Sequence, residues 1–167
     1  AEQLCTHHHT LLCISRGSSD ALEKLAKKNG TTLLQWQADL AQPEAVANKL
    51  LAWLQKLDGS TFSQASLINN AGVSAHALFE DVKPENLAWY EELMRVNLWG
   101  AVCCTHAALP YLKQSHGRIV AVSSLAGLVG VPGRTAYSAS KFAMTGFFEA
   151  LRSELQGSGV SVTIAYP

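Results

Sequence analysis

Hydrophobic residues fall into two kinds of run along this chain. Short apolar runs, typical of buried strands, alternate with longer segments in which apolar residues recur every three or four positions, typical of amphipathic helices. The pattern predicts five strands, at Thr10–Ser15, Thr31–Gln37, Ala65–Ile68, Arg118–Ser123 and Val160–Tyr166. It predicts four helices, at Asp20–Lys28, Pro43–Leu57, Pro84 to about Lys113, and Thr135–Leu155.

Glycine and proline mark the ends of these segments, a kink and a loop. Asn29-Gly30 is a fitting stop for the first helix, and Pro43 stands at a first-turn position of the second. Pro110 lies late in the third helix, where a kink is expected. The segment 127–134 is rich in glycine and proline and predicts a loop.

Strands separated by helices of this length predict parallel pairing through right-handed crossovers. The uncharged strand centres indicate a sheet covered on both faces. We therefore expect one α/β domain over residues 1–167, a doubly wound parallel sheet in a Rossmann-like three-layer α/β/α arrangement. Such sheets bind ligands at the carboxyl ends of their strands, where the polar clusters fall: Ser15-Arg16, Asp39, Asn69-Asn70 and Ser123-Ser124.

The composition narrows the function classes. The 167 residues are 48% hydrophobic and 16% charged, which supplies a buried core. Lysine plus arginine and aspartate plus glutamate both total 13, so no charge excess favours nucleic acid or an acidic membrane. Neither an apolar run of membrane-spanning length nor a signal peptide is recognisable. These features predict a cytoplasmic protein with no nucleic-acid or membrane partner.

The cysteines and one histidine triplet are weaker signals. Cys5, Cys13 and the adjacent Cys103-Cys104 have no C-x-x-C spacing, so buried, reduced thiols are expected ahead of zinc or disulfide sites. The triplet His7-His8-His9 runs into an apolar strand and is interpreted as a turn and strand entrance. We therefore predict no metal site.

The sharpest chemical signal is a tyrosine and a lysine four residues apart near a helix start. Tyr137 and Lys141 share one helix face. An ammonium group near a phenol favours the phenolate and lowers the phenol's pKa, which suits it to proton transfer near neutral pH. Ser124, thirteen residues earlier, ends a strand, where its hydroxyl can meet a substrate oxygen. Alone, a Tyr-x-x-x-Lys spacing occurs by chance in many helices.

Several motifs in succession resemble the classical short-chain dehydrogenases/reductases. The resemblance rests on order and spacing, covers nearly the whole chain, and is carried by Asn69-Asn70-Ala71-Gly72, Val96-Asn97-Leu98, Ser123-Ser124 with Gly127, and Tyr137-Ser138-Ala139-Ser140-Lys141. Gly117-Arg118-Ile119-Val120 and Pro132-Gly133 are also similar to that family.

The resemblance implies a catalytic role for four residues. Tyr137 would be the acid/base, and Lys141 would lower its pKa and hold the nicotinamide ribose. Ser124 would orient and polarise the substrate carbonyl. The Asn97 backbone carbonyl would hold a water that links Lys141 to solvent. The alternative for Asn97 is a bond within its own helix.

Cofactor contacts are implied along the strand ends. Asn69, Asn70, Ala71 and Gly72 resemble the motif that supports the central sheet and lies along the cofactor. Asp39-Leu40 resembles the pair whose carboxylate meets the adenine amino group. The alternatives are that Asn69 and Asn70 are only turn residues and that Asp39 is a helix N-cap.

Arg16 bears on the choice of cofactor. In this fold an acidic residue at the end of the second strand bonds the ribose hydroxyls and selects NAD. Here that strand end reads Ile14-Ser15-Arg16-Gly17, with no carboxylate to repel a 2′-phosphate. Arg16 can pair with that phosphate and Ser15 can add a bond. We expect NADP(H) rather than NAD(H); a solvated surface arginine is the alternative.

Two expected parts are missing from the chain. It contains no glycine-rich turn for the pyrophosphate, and its first residues look like the tail of the helix that follows such a turn. It stops at Tyr166-Pro167, as a strand ends. We therefore interpret the chain as a piece cut at both ends, and expect a sheet with a gap, poor folding and little activity if it were the whole molecule.

The expected function is hydride transfer between NADP(H) and a small-molecule carbonyl or alcohol. A catalytically silent binding or assembly domain, an inactive fragment, and a sugar-nucleotide epimerase or dehydratase are the alternatives. The substrate is not readable, although its candidate lining residues are mostly apolar: Val73, Ser74, His76, Leu125, Ala126, Val129, Val131 and Arg134. A homodimer or homotetramer is expected through the helices of residues 84–113 and 135–155. Core packing is the alternative for their large apolar residues Trp89, Leu93, Trp99, Phe147 and Phe148.

Overall fold

The computed structural model describes Leu4, residues 10–57 and residues 64–167. The predictions for Cys5, for His7-His8-His9 and for the helix tail at residues 1–3 lie outside this part. The chain forms two compact units, residues 1–39 and residues 40–167. A single domain over the whole chain therefore stays a prediction.

The first unit contains a parallel strand pair joined by a helix. Strand β1 spans Thr10–Ser15, helix α1 spans Asp20–Asn29 and strand β2 spans Thr32–Gln37. Ser19 caps α1 by accepting the Leu22 N–H at 3.3 Å, and Gly30 ends it with φ 70°. Only a residue without a side chain adopts that left-handed conformation easily, so this stop was readable from the sequence.

Among its described residues, the second unit contains three strands and four α-helices. Their bounds are α2 Pro43–Leu54, β3 Ser66–Asn69, α3 Ala88–Met94, α4 Gly100–Gln114, β4 Arg118–Val122, α5 Thr135–Glu154 and β5 Ser161–Ala165. Strands β3, β4 and β5 form a parallel sheet in that order. Within the described residues the strands form two separate sheets, one in each unit.

One row of this sheet is buried and the other is open. The register aligns Asn69, Ala121 and Ile164 in a buried row, and α4 and α5 contact these strands. The opposite row aligns Ile68, Val120 and Thr163, of which Ile68 is 42% exposed. The expected cover on both faces is therefore found on one face only among the described residues of this unit.

The long third helix is interrupted earlier than Pro110 suggested. Pro84–Asn86 is a short 3-10 turn, and a π turn at Arg95–Trp99 separates α3 from α4. The Gly100 N–H bonds to the Arg95 carbonyl, five residues back, which widens the helix there. Helix α4 continues through Pro110 to Gln114. The π turn sets the position of Asn97.

The three described cysteines are free thiols, and burial raises the pKa of two of them. Only Cys104 is fully buried, while Cys13 and Cys103 are half-buried. Burial, with a smaller contribution from Cys103, raises the pKa of Cys104 to about 11. Burial and then Glu44 raise the pKa of Cys103. In the described part of the chain, no helix has the length and apolarity needed to cross a membrane.

Candidate active site

Helix α5 carries the predicted tyrosine and lysine on one face. The backbone N–H of Ser138 bonds to the Arg134 carbonyl at 2.7 Å, which starts the helix directly after Gly133. One turn further along the helix from Tyr137, the Lys141 ammonium nitrogen lies 5.9 Å from the centre of the tyrosine ring. The ring is half-buried. The phenol and the ammonium are therefore neighbours, as the spacing predicted.

Lys141 is a buried cation held by a strand end. Its side chain is fully enclosed, with 3% of the residue exposed. The ammonium donates to the Val122 carbonyl at 2.8 Å and lies 3.9 Å from the Met144 sulfur. Burial lowers the pKa of Lys141 below its ordinary 10.5, because the charged form loses solvation. Because Val122 lies two residues before Ser124, this bond ties the Lys141 ammonium to the strand end that carries Ser124.

The two serines after β4 have different roles. Ser124 is half-buried and accepts the Ala126 N–H at 3.3 Å, which caps the short 3-10 turn Leu125–Gly127. Ser123 is buried and its hydroxyl bonds to the Lys141 carbonyl at 3.3 Å and to the Thr145 hydroxyl at 3.0 Å. Ser123 therefore ties β4 to α5, while the Ser124 hydroxyl lies at the strand end.

Gly127 allows the close approach of this turn to α5. A Cβ atom there would lie 2.5 Å from the Ser123 hydroxyl and 2.8 Å from the Lys141 carbonyl. Real Cβ atoms do not come so close to other atoms, so a side chain would push the turn away from α5. This gives a physical reason for a glycine three residues after Ser124.

Asn97 joins three segments of the site. The residue is fully buried on the π turn. Its side-chain oxygen accepts the Val73 N–H at 2.7 Å. Its side-chain nitrogen donates to the Val73 carbonyl and to the Ser140 hydroxyl, both at 2.9 Å. Ser140 in turn donates to the Tyr137 carbonyl at 2.7 Å. The side chain thus bonds other segments, in contrast to the alternative of a bond within its own helix.

The Asn69–Gly72 segment divides into a supporting part and an open part. Asn69 is buried and donates to the Thr105 hydroxyl on α4 at 3.0 Å, so it is more than a turn residue. Asn70, Ala71 and Gly72 are exposed. A Cβ atom on Gly72 would lie 3.3 Å from the Asn97 side-chain oxygen and 3.5 Å from the Lys141 ammonium. Gly72 therefore leaves bare backbone next to the buried cation.

The remaining predicted cofactor residues lie earlier in the chain, between Ser15 and Leu40. In the first unit Ser15, Arg16 and Asp39 are exposed, and the Ser15 hydroxyl donates to the Gly17 carbonyl at 2.6 Å. Asp39 is not an N-cap of α2, because that position belongs to Gln42, whose side chain makes no capping bond. In the second unit Leu40 packs beside Gly100.

Several contributing groups could not be read from the sequence. The Val122 and Val73 backbone groups carry no residue-type signal at all. Ser140 lay inside the quoted motif, yet nothing in its position indicated a bond to Asn97. The guanidinium of Arg134 lies 5.7 Å from the centre of the Tyr137 ring, on a residue that the sequence suggested only as one of several lining positions.

The chain is similar in sequence to known dehydrogenases. It is 34% identical over 152 residues to 11-beta-hydroxysteroid dehydrogenase 1A of Arabidopsis thaliana, covering 89% of this chain and 41% of that protein. It is 31% identical over 156 residues to the mitochondrial D-beta-hydroxybutyrate dehydrogenase of Mus musculus, covering 93% and 45%. The chain thus spans less than half the length of these relatives.

Solved structures of similar proteins identify the fold. A metagenomic short-chain oxidoreductase in complex with NADP superimposes with a TM-score of 0.85 at 26% identity, covering all of this chain and 73% of that one. A short-chain dehydrogenase from Streptomyces avermitilis gives a TM-score of 0.74 at 26% identity, covering 95% and 56%. The fold is therefore the predicted Rossmann-like, doubly wound α/β fold. Residues 1–167 match the short chain dehydrogenase family throughout, and the chain belongs to that family.

Proposed function

We propose that this protein is an NADP(H)-dependent oxidoreductase that interconverts a carbonyl and an alcohol, with Tyr137 as the general acid/base. The observation that carries the proposal is the pairing on α5. The enclosed ammonium of Lys141 lies 5.9 Å from the centre of the Tyr137 ring. A cation at this distance, shielded from water, can stabilise negative charge that develops on the phenol oxygen during proton transfer.

Ser124 would orient the substrate oxygen. It follows the strand whose Val122 carbonyl holds Lys141, so the hydroxyl and the ammonium are attached to the same strand end. A hydroxyl there can donate to the substrate oxygen while Tyr137 gives or takes the proton. The Asn97 side chain bonds Val73 and Ser140, and Ser140 bonds the Tyr137 carbonyl, so this network fixes the backbone next to the catalytic tyrosine.

The residues present fit a nicotinamide cofactor. Gly72 has no side chain beside the Lys141 ammonium, so a ligand can approach bare backbone there. The ammonium has three N–H donors and bonds one carbonyl at 2.8 Å, which leaves capacity for ribose hydroxyls. Leu40, Asn70 and Ala71, with Ser15, Arg16 and Asp39, are the other proposed contacts. When bound, the nicotinamide exchanges a hydride with the substrate carbon.

The preference for NADP(H) over NAD(H) rests on the end of β1. Ser15-Arg16-Gly17 supplies an exposed guanidinium and no carboxylate. A planar guanidinium pairs well with a phosphate, whereas a carboxylate would repel it. The bond from Ser15 to the Gly17 carbonyl uses the hydroxyl proton, so we assign the phosphate contact to Arg16 first.

The substrate is proposed to present an apolar body to the site. The loop after Ser124 exposes Leu125, Leu128, Val129 and Val131, with Leu125 and Val129 more than 60% exposed. Apolar side chains concentrated beside a reactive strand end are typical of a binding surface. The hydroxysteroid and the hydroxybutyrate in the relatives' names are both compatible with such a surface.

We further propose a cytoplasmic homodimer or homotetramer. Trp89, Trp99 and Phe142 remain 44–51% exposed on the helices expected to pair, whereas Leu93 and Phe148 are core residues. The three described cysteines are thiols, as a reducing compartment would leave them. Light scattering on the wild type and on Trp99→Glu tests the assembly; an unchanged mass would remove Trp99 from the interface.

The deciding test of the function is Tyr137→Phe. We expect NADPH oxidation with a panel of aldehydes, ketones and diketones to fall about 100- to 10,000-fold, the range for loss of a general acid/base. Cofactor affinity, measured by NADPH fluorescence, should stay unchanged. Full turnover in the variant would remove Tyr137 from the chemistry. No turnover by the wild type with either cofactor would favour a silent binding domain.

A further inference from the structure

Arg134 places a second cation beside the Tyr137 ring. Its guanidinium carbon lies 5.7 Å from the ring centre, close to the 5.9 Å of the Lys141 ammonium. The two cations differ in their surroundings, because Lys141 is enclosed and Arg134 is exposed. Lys141 donates to a carbonyl within the protein, whereas the Arg134 side chain is open to solvent.

The backbone that carries Arg134 is fixed from both directions. The Arg134 N–H bonds to the Val131 carbonyl at 3.0 Å, and the Arg134 carbonyl accepts the first helical bond of α5 from Ser138. Next to it, the Gly133 carbonyl accepts the Ala77 N–H at 2.9 Å. Anchored in this way, the side chain starts from a fixed point three residues before Tyr137, on the same side of the helix.

The charge of Arg134 is uncompensated within the described residues. Ion pairs there join Lys27 to Glu23, Arg95 to Glu44 and Arg152 to Glu149, and none of them involves Arg134. Its side chain holds five N–H donors in a planar fork that matches a carboxylate. An arginine beside a reactive phenol, without an acidic partner among those residues, is suited to bind an anion that the ligand brings.

We propose that Arg134 binds a carboxylate of the substrate, so that the preferred substrates are oxo acids and hydroxy acids with an apolar chain. This inference rests on the proposed oxidoreductase function. The apolar loop after Ser124 takes the chain, Tyr137 and Ser124 take the carbonyl oxygen, and Arg134 takes the acid group. No bond to Arg134 changes during the reaction, so it is a specificity-determining residue.

The test compares acids with their esters. Reduction of unbranched oxo acids, 3-oxooctanoate among them, is measured beside their methyl esters in wild type, Arg134→Gln, Arg134→Lys and Arg118→Gln. Arg118 begins β4, at the opposite end of that strand from Ser124, so its variant removes one exposed arginine charge away from the site. We expect Arg134→Gln to lower kcat/KM for the acids about 10- to 100-fold, the worth of a charge-assisted pair.

The other measurements separate this inference from its alternatives. Ester reduction and cofactor affinity should be unchanged in Arg134→Gln, Arg134→Lys should recover part of the acid activity, and Arg118→Gln should behave as wild type. Equal loss for acids and esters would make Arg134 structural and overturn the inference while the oxidoreductase function stands. Weaker NADPH binding in Arg134→Gln would assign the guanidinium to the cofactor and overturn it as well.

A binding measurement covers the case in which no carbonyl is reduced. Calorimetric titration of the NADP-saturated protein with octanoate and with methyl octanoate needs no turnover. Saturable octanoate binding that Arg134→Gln abolishes would support the anion site even if the proposed reaction were wrong. Equal binding of octanoate to both proteins, or binding to neither, would overturn the inference.

Discussion

Serines follow two strand ends of this chain, and their surroundings are opposite. After β4, Ser123 is buried and bonded to α5, and Lys141 is enclosed behind the strand end. After β1, Ser15 and Arg16 are exposed, and the Ser15 hydroxyl bonds within its own turn. The first end is preorganised by packing, so changes there should alter rate and stability. The second is solvated, so changes there should alter only the choice of ligand.

The largest effect should follow Lys141→Met, which removes the enclosed cation but keeps the side-chain volume. We expect turnover to fall at least about 100-fold, because the proton-transferring Tyr137 loses its neighbouring cation. The melting temperature should change little by comparison with turnover, because the buried charge that the variant removes is itself costly to the folded state. Steady-state kinetics and a thermal melt on the same sample measure both quantities. Near-normal turnover would show that the buried strand end is not preorganised for catalysis.

The next effect is on stability, through Asn97→Ala. This change leaves the Val73 N–H, the Val73 carbonyl and Ser140 without their partner. We expect the free energy of unfolding to fall by about 2–4 kcal/mol, since buried polar groups without partners cost about 1–3 kcal/mol each. Denaturant titration measures it. Ser140→Ala, which removes one member of the network, is the matched comparison and should cost about 1 kcal/mol; equal losses in both variants would contradict a network centred on Asn97.

A smaller and more selective effect is expected at the solvated end, from Arg16→Ala. The ratio of kcat/KM for NADPH to that for NADH should fall about 10- to 100-fold, the worth of a charge-assisted phosphate contact. Stability should not change, because Arg16 is exposed. Lys28→Gln, at the far end of α1, removes a charge of the same sign and should leave the ratio unaltered. An unchanged ratio in Arg16→Ala would make it a solvated surface residue.

The smallest effect concerns the pH dependence of stability. Burial lowers the pKa of Lys141 below 10.5 in the folded protein, so on raising the pH the native state loses this proton before the unfolded chain does. The cost of the buried charge is therefore present at neutral pH and is relieved as the pH approaches 10.5. Relative to Lys141→Met, wild type should gain stability between neutral pH and pH 10.5. Denaturant midpoints across that range measure the difference. If wild type lost stability relative to Lys141→Met as the pH rose, the pKa of Lys141 would be raised in the folded protein and not lowered.

Much of the local structure followed from the sequence. The bounds of β1 were predicted to the residue, and α1 begins at Asp20 and ends at the predicted Asn29-Gly30 stop. Tyr137 and Lys141 were expected on one helix face and are found there. These features depend on side-chain periodicity, capping and glycine conformation. All of these act over a few residues and are therefore visible in the linear chain.

Three features were decided only by the tertiary structure. The π turn at Arg95–Trp99 was not predicted, and neither were the Val122 carbonyl that holds Lys141 and the open row containing Ile68. Each depends on which backbone groups are brought together across the fold, and backbone atoms are the same in every residue. The sequence therefore determined which reactive groups this protein has, whereas the packing of α5 against β4 decided which of them are enclosed and which, like Arg134, stay open to a ligand.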